Sequence, residues 1–245
     1  MYQYRTYRNL IHCNRLQAFK LVVKETDLFV HAKKNLEDIT KELVLQYRGY
    51  IEAYIQKNPE FAETLQPWRS NSPAPKIVTT MAWAGDQAGV GPMAAVAGAI
   101  AEYVGRDLRI YTDEVIVENG GDIFLKTDKP VTIGIYAGKS SLNLKIGLRV
   151  NTSIAPIAVC TSSGTVGHSL SMGKADAVCV VSDSCALADA TATAIGNLVQ
   201  SKKDIKYAID TGKKIKNIKG LIVIMDDDIG MWGELEVIPL KRKKG

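Results

Sequence analysis

Asp189 and Thr193 stand four residues apart in Ala188-Asp189-Ala190-Thr191-Ala192-Thr193-Ala194-Ile195-Gly196. On a helix that spacing puts both side chains on one face. A carboxylate and a hydroxyl side by side are hard oxygen donors, the kind Mg²⁺ takes while keeping several of its waters. The alanines and the glycine around them make a thin helix that another backbone can approach closely. The same aspartate, near a helix start, can also serve as a cap. A second cluster is Thr161-Ser162-Ser163-Gly164-Thr165-Val166-Gly167-His168. Its hydroxyls and exposed amides suit an oxyanion or phosphate, and His168 can exchange a proton near neutral pH; a polar loop with an incidental histidine is the plainer alternative. A third is Asn119-Gly120-Gly121-Asp122-Ile123. Paired glycines permit positive φ or close approach by another group, and on local chemistry alone a hairpin turn explains them best.

A fourth cluster, Gly89-Val90-Gly91-Pro92-Met93-Ala94, satisfies G-x-G-x-x-A, with Asp113 about 20 residues further on as a dinucleotide site requires. A Rossmann strand should run straight into the first glycine, and Trp83-Ala84-Gly85-Asp86-Gln87 does not read as one. A Gly-rich approach to a helix N-terminus can still hold an anion on its free N–H groups.

Periodicity supplies the elements that must position these residues. Residues 2–31 read as two or three short strands around Leu21-Val22-Val23 and Leu28-Phe29-Val30, with a turn at Lys24-Glu25-Thr26-Asp27;. Residues 35–57 are helical, with apolar side chains at spacings of three and four until Pro59;. The proline-rich stretch 66–75 reads as a linker, so residues 1–65 can form an N-terminal subdomain. A short strand is expected at 77–80 and a helix at 92–103, with Pro92 in its first turn. Strands are expected at 108–111, 115–117, 123–126, 131–136, 145–149, 154–160 and 177–181. Asp183 or Ser184 can cap a small-residue helix running to Val199. An amphipathic lysine-rich helix at 203–214 and strands at 221–225 and 234–238 complete the chain. Short strands in groups, separated by single helices, argue a mixed α+β fold.

With 46% hydrophobic and 23% charged residues over 245, the chain has the composition of a globular protein. No apolar run approaches the ~18 residues of a membrane span, and the start lacks the apolar stretch of a signal peptide, so the protein reads as cytoplasmic. Cys13, Cys160, Cys179 and Cys185 form no C-x-x-C pair and read as buried thiols;. The net charge of +5 is concentrated in Lys241, Arg242, Lys243 and Lys244, with seven lysines in 201–219. Only Tyr207 interleaves with those lysines, so a solvated face is expected and a nucleic-acid partner is not.

Order and spacing of the clusters carry more than any one of them. Gly120-Gly121-Asp122-Ile123, then Thr161-Ser162-Ser163-Gly164 with His168, then Ala188-Asp189-Ala190-Thr191-Ala192-Thr193-Ala194 resemble, in the same order, the motifs of the ApbE-like flavin transferase superfamily. The resemblance spans roughly residues 89–197. Lys24-Glu25-Thr26-Asp27-Leu28 and Gly89-Val90-Gly91-Pro92-Met93 resemble a branch of short cytoplasmic relatives set apart from the proven transferases. It implies an ApbE-like, T-fold-like α+β domain covering residues 1–245. It implies Mg²⁺ on Asp189 and Thr193, with a backbone carbonyl of the earlier helix, and FAD or a related nucleotide as substrate or ligand. Flavin or phosphate contacts fall to Gly91, Gly120, Gly121, Asp122, Ser162, Ser163, Gly164 and Thr165, and His168 becomes the catalytic candidate. The family's reaction cleaves FAD and passes FMN to a threonine of a target protein. Two departures stand out. The transferases have Lys-Gly in the earlier helix where this chain has Ala97-Gly98. Their histidine opens a different motif from His168-Ser-Leu-Ser-Met-Gly-Lys. Two readings follow: a Mg²⁺-dependent enzyme acting on FAD or a similar nucleotide pyrophosphate, or a flavin or nucleotide binder that kept the pocket without the chemistry. No membrane partner is expected, and a homodimer is possible on this reading.

Overall fold

The computed structural model describes residues 15–70, 72–164 and 172–240. The candidates Thr165 and His168, Cys13 and the basic run Lys241–Lys244 lie outside the described residues.

The strands sort into two antiparallel sheets. The larger has eight strands: β1 (Gln17–Val23), β2 (Thr26–Ala32), β3 (Val115–Asn119), β4 (Asp122–Lys126), β7 (Ile157–Ser162), β8 (Ala177–Ser182), β9 (Ile218–Met225) and β10 (Asp228–Gly233), in that spatial order. The smaller holds β5 (Val131–Gly134), β6 (Ile146–Val150) and β11 (Glu236–Pro239), with β6 in the middle. The helices are α1 (Glu37–Lys57), α2 (Glu60–Glu63), α3 (Lys76–Ala88), α4 (Val96–Leu108), α5 (Cys185–Leu198) and α6 (Ile205–Gly212), with a 3₁₀ turn at Pro92–Ala95. The α+β reading holds. None of the described helices is by itself long and apolar enough to cross a membrane.

Strand alternation divides the core in two. Val115, Val117, Phe124, Ala158, Cys160, Val178, Val180, Leu221 and Val223 face the helices. Their neighbours Ile116, Ile123, Leu125, Val159, Cys179, Val181, Ile222 and Ile224 face the small sheet. The central strands are therefore apolar on both faces, and their sequences read as unbroken hydrophobic runs rather than alternating ones. The result is three layers: helices, large sheet, small sheet. Residues 17–57 share this frame, since β2 pairs with β3 over five residues and α1 packs on α4.

Three elements differ from the sequence expectations. Residues 77–80 are not a strand but the start of α3. The β-branched Ile77-Val78-Thr79-Thr80 favours a strand by propensity, yet Ile77, Val78, Met81, Ala84 and Gly85 are buried together, which is a helical stripe, and periodicity overrides propensity. Gly89, at φ 73°, ends this helix in the left-handed conformation;. The G-x-G-x-x-A segment thus follows a helix, and a dinucleotide βαβ unit is absent there. Residues 108–111 are the end of α4 and a turn, with Ile110 79% exposed. Finally, β10 follows β9 through a two-residue turn in which Asp226 has φ 56°; three consecutive aspartates hid a strand that the sequence reading did not contain.

Candidate functional site

The site forms where the N-terminal turns of α4 and α5 meet above the β3–β4 hairpin. Ser184 caps α5, its Oγ accepting from Leu187 N at 3.4 Å;. Gly98 lets the two helices touch: a Cβ there would lie 2.4 Å from the Cys185 carbonyl oxygen and 2.8 Å from Asp189 Cβ. At that contact the Asp189 carboxylate accepts from Gly98 N at 2.8 Å and also from Ala97 N. Asp189 of α5 therefore caps the first turn of α4, whose early N–H groups have no partner within their own helix. Asp189 keeps a little solvent-accessible surface, but dense protein surrounds its carboxyl, and that desolvation raises its pKa from 3.8 to about 7;.

The arrangement is reciprocal. Glu102 of α4, 1% exposed, places Oε2 at the start of α5. There it accepts from Ser184 Oγ at 3.0 Å, Cys185 N at 2.7 Å and Ala186 N at 3.2 Å. Its Oε1 pairs with Arg106 at 2.5 Å. Each helix thus lends an acid to the other's positive end.

Below them, Gly120 and Gly121 form a two-residue hairpin turn at φ 70° and 109°, backbone that only glycine adopts without strain. Glu118 Oε1 accepts from Gly121 N at 2.8 Å, and Gly121 O accepts from Thr161 N at 3.1 Å. Asn119 Nδ2 donates to the Ala97 carbonyl at 3.0 Å, tying the hairpin to the first turn of α4. Asp122 is buried opposite Cys160 in the register. Cys160 Sγ lies 3.4 Å from both the Sγ and the carbonyl oxygen of Cys185. Burial pushes the Cys160 thiol well above its usual range and Cys185 to about 11, and the nearby charges of Asp122 and Asp189 push the same way. Buried thiols were expected for Cys160, Cys179 and Cys185, and all three are buried and free.

The third cluster meets the other end of α5. Ser162 ends β7, and Gly164 N donates to Ala175 O at 2.9 Å. Gly164 presses on Gly173, and Gly173 on the carbonyl of Gly196 near the end of α5. Thr193 is half-buried, one turn beyond Asp189 on the same helix. The three motifs singled out in the sequence therefore converge along α5, with Gly120, Gly121 and Asp122 at its start and Ser162, Ser163 and Gly164 toward its end. Gly91 is set differently. A Cβ there would meet the Thr64 carbonyl at 1.9 Å, so its close approach is to the chain after α2.

Glu102 was not found from the sequence, and Asn119 was read only as part of a hairpin turn. A lone acid in Val-Ala-Gly-Ala-Ile-Ala-Glu-Tyr-Val was the available signal for the first. Among the described residues no group of three or more His, Cys, Asp or Glu side chains could hold a metal. A groove of about 460 Å³ between α6 and β10, lined by Lys202, Lys203, Lys206 and Lys213, contains none of the motif residues. Those lysines are largely compensated: Lys202 pairs with Asp226, Asp227 and Asp228, and Lys206 and Lys213 with Asp210.

Comparison with known proteins agrees with this fold. A family model described as AbpE bacteria matches residues 8–229. A UPF0280 protein of Methanocaldococcus jannaschii is 42% identical over 222 residues, covering 88% of this chain and 90% of its own. A UPF0280 protein of Methanosarcina barkeri is 41% identical over 232 residues, covering 91% of both. Among solved structures, the flavinyl transferase ApbE of Pseudomonas stutzeri superposes with a TM-score of 0.56 at 14% identity, over 89% of this chain and 94% of that one. A mutant of the flavin transferase ApbE of Vibrio cholerae gives 0.57 at 12%, over 89% and 96%. The chain belongs to the family described as AbpE bacteria, as a relative of the UPF0280 proteins, and it has the fold of the ApbE flavin transferases.

Proposed function

We propose that this protein is a Mg²⁺-dependent enzyme acting on FAD or a chemically similar nucleotide pyrophosphate. The observation that carries the reading is the placement of Asp189, a desolvated carboxylate between two helix N-termini, with Thr193 one turn on and the Gly120-Gly121 hairpin beside it. The donor set fits the ion. Asp189 and Thr193 offer hard oxygens, and Asp189 already accepts from the N–H groups of the first turn of α4. Two or three protein oxygens are what Mg²⁺ takes when water and substrate phosphates supply the rest. When bound, the ion would supply charge neutralisation at the pyrophosphate and the leaving phosphate.

This chain's residues would then do the following. Asp189 and Thr193 hold the cation. Gly120 and Gly121, without side chains, leave room for a flavin or its phosphates, with Asp122 at the hairpin's end. Ser162, Ser163 and Thr165 contribute hydroxyls and amides to the phosphates, Gly164 holds the loop through its bond to Ala175 O, and Gly91 lies in the Gly-rich segment leading to α4. His168 is the candidate for proton exchange with the reacting group. The transferases named above lend the substrate class by analogy of fold.

A second reading, a binder without chemistry, is favoured by one feature: Ala97 stands where the transferases have lysine, so that phosphate-reaching cation is missing. Incubation with FAD and Mg²⁺ followed by chromatography separates the two. The enzyme releases AMP and FMN, and His168→Gln lowers that turnover by about 10²-fold with FAD affinity retained. Binding of FAD with no AMP under any divalent cation would establish the binder instead.

A further inference from the structure

We propose that Glu102 is a positioning residue for the metal-binding carboxylate. From α4 it fixes the first turn of α5, and through that turn it sets where Asp189 stands. The inference rests on the metal role given to Asp189 above.

Three observations point to it. First, Glu102 is buried and its Oε2 gathers three donors from the start of α5, two of them the backbone N–H groups of Cys185 and Ala186. Second, α5 already has a local cap, Ser184 on Leu187 N, and Glu102 reaches across from α4 to the Cys185 and Ala186 N–H groups that Ser184 leaves. A buried carboxylate is an expensive substitute for a serine or threonine side chain, since removing its charge from water costs several kcal/mol before any partner is found. What Glu102 adds is a bond between helices: Ser184 holds α5 to itself, and Glu102 holds α5 to α4. Third, there is no slack in that junction. Gly98 leaves only backbone between the helices, and the return bond from Asp189 to Gly98 N lies one turn along α5 from the Glu102 contacts. A small slide of α5 would break both bonds and carry the Asp189 and Thr193 side chains together away from the first turn of α4. Partners that orient a metal ligand commonly account for 10–100-fold in metal affinity.

The test uses Mn²⁺ as the probe, its binding in the presence of FAD followed by the electron paramagnetic resonance signal of the free ion. Glu102→Gln keeps the size and an acceptor oxygen but removes the charge. Val104→Ala, a buried core truncation two positions along α4 and so on a different side of the helix from Glu102;, serves as the control for stability alone. Glu102→Gln is expected to weaken Mn²⁺ by about 10-fold, and Val104→Ala to leave it within twofold even where it lowers the melting temperature as much or more. If Glu102→Gln does not fold, Glu102→Asp, which retracts the carboxylate by one methylene and keeps the charge, takes its place with the same expectation. Wild-type affinity in the Glu102 variant, or an equal loss in Val104→Ala, overturns the positioning role while the metal site stands. No Mn²⁺ binding by the unaltered protein beyond that of FAD alone removes the metal reading itself, and the role of Glu102 with it.

Discussion

Replacing Asp189 with asparagine should make the protein more stable at neutral pH while removing its affinity for the divalent cation. Burial raises the Asp189 pKa from 3.8 to about 7. Between those values the folded state holds a proton that the unfolded chain has released, so folding stability falls as pH rises from about 4 to about 7. The full displacement corresponds to ~4 kcal/mol at about 1.4 kcal/mol per pKa unit. Because Asp189 keeps some contact with solvent, and because charges in real proteins feel a more polarisable surrounding than dry interior, about half of that is a fair expectation. Asparagine keeps an oxygen for Gly98 N and Ala97 N but never ionises. The variant should therefore match the wild type near pH 4, apart from a constant offset from the amide, and gain ~2 kcal/mol by pH 8, about 4–8 °C in melting temperature for a chain of this size. Cys160 and Cys185 remain in both proteins, so to first order their contribution cancels in the difference. Scanning calorimetry of both proteins from pH 4 to 9 measures it. A difference that stays flat with pH, or one in which the wild type gains on the variant as pH rises, would show that Asp189 is not a desolvated carboxylate.

Two further outcomes follow from the same junction. Gly98→Ala gains helix propensity of up to ~1 kcal/mol, yet its Cβ meets Cys185 O at 2.4 Å. The net result should be a loss of about 2 kcal/mol or more in denaturant unfolding, and a neutral or stabilised variant would contradict the helix contact. Cys160, Cys179 and Cys185 are buried with thiol pKa values raised by desolvation. In a Cys13→Ser background they should resist a thiol reagent at pH 8 until denaturant is added; labelling of any of the three in the native state at the rate of a free thiol would refute that burial.

How far the sequence could be read depended on the range of the interaction. Local signals served well. Ser184 ahead of a small-residue run marked the start of α5, Gly120-Gly121 marked a hairpin, and apolar runs such as Ala177-Val178-Cys179-Val180-Val181 marked strands buried on both faces. Where two local signals conflicted, the reading failed. Ile77-Val78-Thr79-Thr80 has strand propensity inside a helical stripe, and the exposed Ile110 and Tyr111 looked like strand residues in an apolar run. The site was legible as three separate motifs and not as a junction. Asp189 was singled out, but the acid that holds its helix was out of reach, because the Glu102 contacts join residues 82 to 84 positions apart. No spacing rule connects such residues; only the fold does. Asn119 was read as a turn residue for the same reason, since its bond to the Ala97 carbonyl becomes visible only when the hairpin is laid under α4.

Where a sequence departs from what folding alone would choose, function is the usual cause, and several such departures meet at one helix junction of this protein. Strand alternation, helix caps and hairpin glycines elsewhere agree with the core they serve. At the meeting of α4 and α5 the chain instead buries Glu102 and draws Asp189 into a desolvated position. It also sets Gly98 inside a helix and stacks two thiols beneath the acids. Some of this has a packing reason. Gly105, also mid-helix, is needed because a Cβ would strike Phe124 at 2.2 Å, and Gly98 is needed for the helix contact itself. The acids satisfy N–H groups at the starts of both helices, but they do so with carboxylates taken out of water, where most helix starts use neutral side chains and solvent;. A carboxylate held near neutral pKa at a helix N-terminus gives up its proton readily when a cation arrives, and it is already aimed by bonds that do not depend on the ligand. A chain under selection only to fold would lose Asp189 at a gain in stability, which is why the stabilised, cation-blind Asp189→Asn protein is the outcome that distinguishes a working site from an inherited cap.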